Sequence, residues 1–106
     1  MNSSEHKRQV AQNLTILLNA VGLPDAEVAR SVGISNSKLG NWKRGDNYPD
    51  PFVLVLICER YGATMDWFYR SRVYGMPAEL TDRIIAATSK ADTPTRRSRK
   101  KPSSSP

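Results

Sequence analysis

Apolar residues recur at helical spacing over the first 70 residues and divide them into five predicted helices. The first helix begins near Glu5, with Ser4 as its N-cap, and ends at Gly22. Its apolar face is predicted to consist of Val10, Leu14, Leu17, Leu18 and Val21. Because a helix with one apolar face needs another element to cover that face, the pattern predicts a small all-α domain.

Two short helices joined by a glycine turn are predicted between Leu23 and Gly45. Pro24 suits a helix start because it has no N–H to leave unpaired, and Gly33 ends that helix in a left-handed conformation. Ser35 is a suitable N-cap for the next helix, which ends at Gly45. The inward-facing positions are Val28, Ala29, Val32, Ile34, Leu39 and Trp42. A helix pair broken at a glycine, with a polar outer face on the second helix, is typical of a helix-turn-helix.

A fourth and a fifth helix are predicted next. The apolar run 52–58 contains β-branched residues that would also suit a buried strand. A helix is favoured by Asp50 as a cap, Pro51 at the first position and Gly62 as a stop. Thr64 is the N-cap of the fifth helix, whose aromatic composition indicates either core closure or part of a dimer surface. The residues concerned are Met65, Trp67, Phe68 and Tyr69.

The pattern weakens after the fifth helix. A polar linker leads to a short sixth helix over 77–88, whose thin apolar stripe packs either on the domain or on a second subunit. The stripe consists of Leu80, Ile84, Ile85 and Ala87. From Ser89 onward, serine, threonine, proline and basic residues dominate, and this composition predicts disorder. The predicted organisation is a helix-turn-helix domain over 5–70, a linker and short C-terminal helix over 71–88, and a disordered basic tail over 89–106.

Several short segments match one family pattern. They are Ala26-Glu27-Val28-Ala29, Val32-Gly33-Ile34-Ser35, Leu39, Asn41-Trp42 and Gly45. In these residues the chain resembles the Cro/CI-type (lambda-repressor-like, or xenobiotic-response-element-like) helix-turn-helix family. The segment 61–69 is similar to the fourth and fifth helices of many bacterial members, so the resemblance covers roughly residues 9–70. It implies a compact five-helix lambda-repressor-like domain that binds double-stranded DNA as a symmetric homodimer.

The resemblance also implies which residues touch DNA, because the third helix of the family enters the major groove. The positions carried over as base contacts are Asn36, Ser37, Lys38 and Asn41. Asn pairs bidentately with adenine, Ser serves several bases, and Lys reaches a guanine or a phosphate. The predicted phosphate contacts are Ser35, Lys43, Arg44 and Asn47. The alternative is that these side chains only cap the helix or point into water.

Four positions depart from the family pattern. Pro24-Asp25 stands where Ser or Thr followed by a phosphate-holding Gln is usual, and the Asp25 carboxylate would repel phosphate. Lys43 stands where Glu is usual, and Asp46 where a basic residue is frequent. Gly40 replaces a more common Ser and weakens the third helix by up to about 1 kcal/mol relative to Ala. These departures remove phosphate anchors but leave the fold intact.

Charge is distributed unevenly along the chain, whose formal net charge is +6. The segment 90–101 contains six basic residues and one acidic residue, so the first 89 residues are close to neutral. The tail is predicted to add sequence-independent phosphate contacts, or else only to keep the chain in solution. The tail residues predicted to contact phosphate are Arg96, Arg97, Arg99, Lys100 and Lys101.

Residues that carry enzymatic chemistry are sparse. Cys58 is the only cysteine and His6 the only histidine, so neither a disulfide, a metal-ligand cluster nor a cysteine–histidine pair is expected. Cys58 is predicted to be a small core or boundary residue, and His6 a surface residue on a mobile helix end. Without an 18-residue apolar run or a signal peptide, the chain is expected to be cytoplasmic, with no membrane partner. An enzyme, a cofactor and a small-molecule substrate are not predicted.

Two functions stay open at this point. The first is a sequence-specific transcriptional regulator of bacterial or phage origin, with repression suggested by the resemblance alone. The second is a protein-interaction module on the same scaffold, such as an antitoxin-like or phage accessory protein, that binds DNA weakly or not at all. The near-neutral domain and the uncovered stripe of the sixth helix favour the second function.

Overall fold

The computed structural model of the chain describes residues 1–92, and these residues form six α-helices with no strand. The helices are α1 (Ser3–Val21), α2 (Asp25–Ser31), α3 (Asn36–Arg44), α4 (Pro51–Tyr61), α5 (Met65–Arg70) and α6 (Ala78–Asp92). The all-α prediction is confirmed, and the ambiguous apolar run 52–58 lies within a helix. The predicted tail contacts from Arg96 to Lys101 lie outside the described residues.

Side-chain caps set most of the helix starts, as the sequence predicts. Ser35, Asp50 and Thr64 each accept a hydrogen bond from a backbone N–H in the first turn of α3, α4 and α5. The N-cap of α1 is Asn2, not Ser4. Asn2 and Glu5 exchange two hydrogen bonds of 2.8 and 2.9 Å, and this capping box satisfies two backbone donors at once.

The core is built around α1, against which α3, α5 and α6 pack. Leu14 and Leu17 of α1 are fully buried, together with Leu54 and Ile57 of α4 and Phe68 of α5. The core role predicted for the aromatic helix α5 is therefore confirmed. Its contact with a second subunit stays a prediction.

Helix α6 lies along α1 and is longer than predicted. Leu80 and Ile84 are buried within the same chain, whereas Ile85 is 54% exposed. The helix end predicted at residue 88 is corrected to Asp92. Helix α6 packs against α1, and such tertiary contacts contribute more to helix stability than local propensity does. The stripe of α6 therefore packs largely in its own domain.

Two polar residues of α1 have partners that the sequence pattern did not reveal. Asn13, which is not among the residues of the predicted apolar face, is 1% exposed. Its side-chain amide donates to Trp67 O, Phe68 O and Ser71 Oγ at 2.9 to 3.1 Å. His6, predicted to be a surface residue, is half-buried. Asn13 thus joins α1 to the end of α5 through hydrogen bonds inside the core.

Candidate nucleic-acid interface

The pair α2–α3 forms a helix-turn-helix with one buried and one open side. Gly33 has φ +77°, and the backbone N–H of Ile34 donates to Ala29 O at 3.0 Å, which turns the chain sharply between the helices. Leu39 and Trp42 of α3 point into the core, as predicted. The opposite side of α3 therefore faces solvent.

Three of the four predicted base-contact residues lie exposed in the first turn of α3: Asn36, Ser37 and Lys38. Asn41 lies one turn later and is half-buried. Positions three and four apart share one side of a helix, so Asn41 lines up with Ser37 and Lys38. The Lys38 ammonium lies 6.0 Å from the centre of the Trp42 ring, at the edge of the open face. The four side chains form one polar surface, which we call the α3 face.

Lys43, a predicted phosphate contact, is held by an acid of α2. Its Nζ lies 2.5 Å from Asp25 Oδ2, and both side chains are only partly exposed. Two of the departures from the family pattern thus compensate each other, since the acid at the start of α2 pairs with the base at the end of α3. The pair joins the two helices and reduces the positive charge that Lys43 offers to a phosphate.

Arg44, another predicted phosphate contact, is also engaged within the chain. Its guanidinium donates to the side-chain oxygen of Asn41 and lies 3.3 Å from Asp46 Oδ2. It passes over Gly40, where an added Cβ would lie 3.4 Å from Arg44 Nη1. The other two departures from the pattern therefore both concern Arg44: Gly40 leaves space for its side chain, and Asp46 pairs with its charge. Arg44 therefore borders the α3 face and also forms a hydrogen bond with one of its residues, Asn41.

The two other predicted phosphate contacts are Ser35 and Asn47. Ser35 Oγ accepts from the backbone N–H of Lys38 at 3.1 Å, and its hydroxyl hydrogen can still be donated. Asn47 is exposed in the loop between α3 and α4. Ser35 lies at the start of α3 and Asn47 shortly after its end. If α3 entered a DNA groove, the two sugar-phosphate backbones that border the groove would run near these positions.

A pair of glycine substitutions tests the local geometry of α3. Gly40→Ala is expected to raise the free energy of unfolding by about 1 kcal/mol, since Ala is the better helix former and the arginine end can shift aside. Gly45→Ala is expected to lower it by about 1–2 kcal/mol, because Gly45 has φ +82°, a conformation that is costly for a residue with a Cβ. Urea unfolding of both variants checks the prediction. Shifts of the same sign would contradict it.

Two further observations concern the thiol and the possible metal ligands of the described residues. Burial and the neighbouring Glu59 carboxylate raise the pKa of the Cys58 thiol, which keeps it protonated and poorly nucleophilic. Within residues 1–92 no three His, Cys, Asp or Glu side chains are grouped as metal ligands require. None of the helices described is long and apolar enough to cross a membrane.

Comparison with protein families identifies the fold of most of the described chain. A family model described as helix-turn-helix matches residues 8–68, more than half of the chain, and includes α2, α3, α4 and most of α1 and α5. No curated protein matches the sequence significantly. No solved structure does so either.

Proposed function

Because this chain belongs to the Cro/CI-type helix-turn-helix family, we propose that it is a transcriptional regulator that binds a specific sequence of double-stranded DNA and acts by repression. The observation that supports this most is the α3 face, in which Asn36, Ser37, Lys38 and Asn41 lie on the open side of a helix whose other side is fixed by Leu39 and Trp42. Such a group of amide, hydroxyl and ammonium side chains on the open side of a helix suits the base edges of a major groove. A protein of this kind acts in the cytoplasm, on the DNA.

The proposal includes phosphate contacts from Ser35, Asn47, Lys43 and Arg44, which border the α3 face. To bind a phosphate, Lys43 and Arg44 must each leave its carboxylate partner, or interact with the carboxylate and the phosphate at the same time. Arg96 to Lys101 of the tail supply further contacts that do not depend on sequence. We also propose that the helix-turn-helix domain ends near residue 70 and that the basic tail follows α6, which extends to Asp92.

We further propose that the protein binds as a homodimer, since a single short helix reads few base pairs. Two copies related by a two-fold axis would occupy half-sites about 34–36 Å apart. Sedimentation equilibrium of the free chain, and of the chain with a duplex carrying two half-sites, tests this. A strict 1:1 complex with one half-site, independent of protein concentration, would contradict the dimer and leave the base contacts in place.

The specificity of binding tests the function itself. The full chain is titrated against its preferred duplex and against a shuffled copy of the same composition, at about 150 mM salt. A specific regulator is expected to prefer the first by roughly 10³-fold or more. Equal affinities would show that the binding is only electrostatic.

Asp25→Asn tests the charge pairing at the start of α2. Without its carboxylate partner, Lys43 becomes available to phosphate, so we expect affinity for DNA to rise on the order of tenfold and the salt dependence to steepen by about one counterion. Stability should change little, because a partly exposed pair contributes at most about 1 kcal/mol. Fluorescence anisotropy at several salt concentrations measures both effects.

Asp82→Asn is the matched control for that variant, since Asp82 is exposed on α6, which lies against α1 and outside the α3 face. It makes the same change in net charge. If both variants bind DNA alike, the gain comes from net charge alone and the role given to the Asp25 carboxylate is wrong.

A second function has one observation in its favour. The carboxylates of Asp25 and Asp46 pair with Lys43 and Arg44, the two basic residues in the last turn of α3, as expected of a scaffold that is not used for DNA. A protein-interaction module, antitoxin-like or phage accessory, would then keep the fold while its partner is another protein. The specificity titration separates the two, because such a module gives no preferred duplex.

A further inference from the structure

The N-terminal turns of α1 lie beside the end of α3. A Cβ added to Gly45, the residue that ends α3, would lie 3.5 Å from Arg8 Cγ and 3.5 Å from Ala11 Cβ. The aliphatic stem of Arg8 therefore packs on the last turn of α3, and the Arg8 side chain is exposed. The end of α3 thus has a basic neighbour that is 37 residues away in the sequence.

A histidine fixes the loop that follows α3 onto the same turns of α1. His6 Nδ1 lies 2.8 Å from the Tyr48 hydroxyl, and His6 Nε2 lies 2.8 Å from Tyr69 O. Because a carbonyl only accepts, Nε2 donates to Tyr69 O, and in the neutral ring Nδ1 accepts from Tyr48. The Lys7 ammonium lies 5.8 Å from the centre of the Tyr48 ring. His6 and Tyr48 therefore hold Lys7 and the loop together.

The charges at this end of α3 differ in whether they are compensated. Lys43 and Arg44 face Asp25 and Asp46. Neither Lys7 nor Arg8 forms a salt bridge within residues 1–92. The remaining acids nearby have other roles: Glu5 completes the capping box of α1, and Asp50 caps α4. The uncompensated positive charge beside α3 therefore comes from α1.

We propose that Lys7 and Arg8 form a phosphate-binding site for the DNA strand that borders the groove at the C-terminal end of α3, with His6 and Tyr48 as positioning residues. This rests on the proposed function, since it requires α3 in the groove. The nine residues of α3 span about 13 Å, close to the width of about 12 Å of a major groove. With α3 in the groove, a side chain attached beside the end of α3 would lie on the side of the bordering phosphodiester backbone, where it would bind phosphate without reading a base.

The test is the salt dependence of DNA binding by the full chain with Arg8→Ala, Lys7→Ala and both together. Each contact removed is expected to lower the slope of log K against log salt by about 0.9, and the double variant by about 1.8. The affinity should fall by the same factor for the preferred duplex and for its shuffled copy, because phosphate contacts carry no sequence information.

Arg60→Ala is the matched control. Arg60 is exposed, forms no salt bridge within the described residues, and lies near the end of α4, about 15 Å along the helix from Asp50. It should leave the slope unchanged. If Arg8→Ala and Lys7→Ala change the slope no more than Arg60→Ala, the site on α1 is overturned while the proposed function stands. A wild-type chain without a preferred duplex overturns both.

Tyr48→Phe tests the positioning role, because it removes the hydroxyl bound by His6 and keeps the ring under Lys7. We expect a smaller slope than in the wild type, with the preference for one duplex over its shuffled copy retained. A merely structural role would lower the melting temperature and leave the slope at the wild-type value, and that result would remove His6 and Tyr48 from the proposal.

Discussion

Replacing Asn13 by leucine is expected to lower the free energy of unfolding by about 1–3 kcal/mol. The two hydrogens of its amide are shared among three oxygens, those of Trp67, Phe68 and Ser71, and two of these are backbone carbonyls at the end of α5. Leucine donates nothing, so the buried Phe68 carbonyl loses its donor, at a cost of about 1–3 kcal/mol, whereas Trp67 O keeps the backbone N–H of Ser71. For a domain whose total stability is about 5–15 kcal/mol, this is a large fraction.

Chemical unfolding of the variant, monitored by circular dichroism, measures the effect, and a thermal melt should fall by about 4–8 °C for each kcal/mol lost. Asn19→Leu is the matched control, because Asn19 lies on the same helix and is exposed. It should stay within about 0.5 kcal/mol of the wild type. Equal effects at the two positions would show that the amide network of Asn13 does not join α1 to α5.

The double substitution Asn36→Ala with Asn41→Ala is expected to produce the largest loss of specific DNA binding. A bidentate contact between an amide side chain and adenine contributes about 1–3 kcal/mol of discrimination, so two independent contacts give about 2–6 kcal/mol. Since about 1.4 kcal/mol corresponds to a tenfold change in affinity, the preferred duplex should bind at least roughly 30-fold more weakly. The shuffled copy should bind almost as before.

Anisotropy titrations against both duplexes provide the measurement, with Asn19→Ala as the control at an exposed asparagine outside the α3 face. Truncating Asn41 also removes an acceptor from Arg44. The single variants Asn36→Ala and Asn41→Ala therefore show whether the loss of affinity comes from the missing base contact or from the displaced Arg44 side chain. If affinities for both duplexes fall equally, the two amides contact the backbone only, and the base-contact prediction is wrong.

Much of the fold can be predicted because its signals are local. Ser35, Asp50 and Thr64 each cap a helix within three residues of themselves, and a glycine such as Gly45 ends one. The burial of Leu39 and Trp42 follows from spacing along a single helix. Such features need no knowledge of the rest of the chain.

The features that were missed depend on contacts between distant segments. His6 binds Tyr48 and Tyr69, which lie 42 and 63 residues away, and its polar character alone suggests a surface position. Asp25 and Lys43 each depart from the family pattern, and only their distance of 2.5 Å shows that the departures form a pair. A search for opposite charges at paired departures could have suggested this contact.

The candidate interface was predictable in its centre and less so at its border. The α3 face follows from helical periodicity, because the apolar residues of α3 fix which side is open. Periodicity does not show which of the bordering cations can bind phosphate, because this depends on whether a carboxylate lies within a few ångströms of each cation. Arg8 is near Gly45 only because α1 packs on α3, and no spacing in the sequence records that packing.

Selection of bound duplexes from a random DNA pool, with the full chain at about 150 mM salt, tests most directly whether the α3 face reads bases. We expect one enriched motif with two-fold symmetry, its half-sites about one helical turn apart, and its loss in the Asn36, Asn41 double variant. Recovery of DNA without any enriched motif, by binding that disappears as salt rises, would contradict base readout by α3.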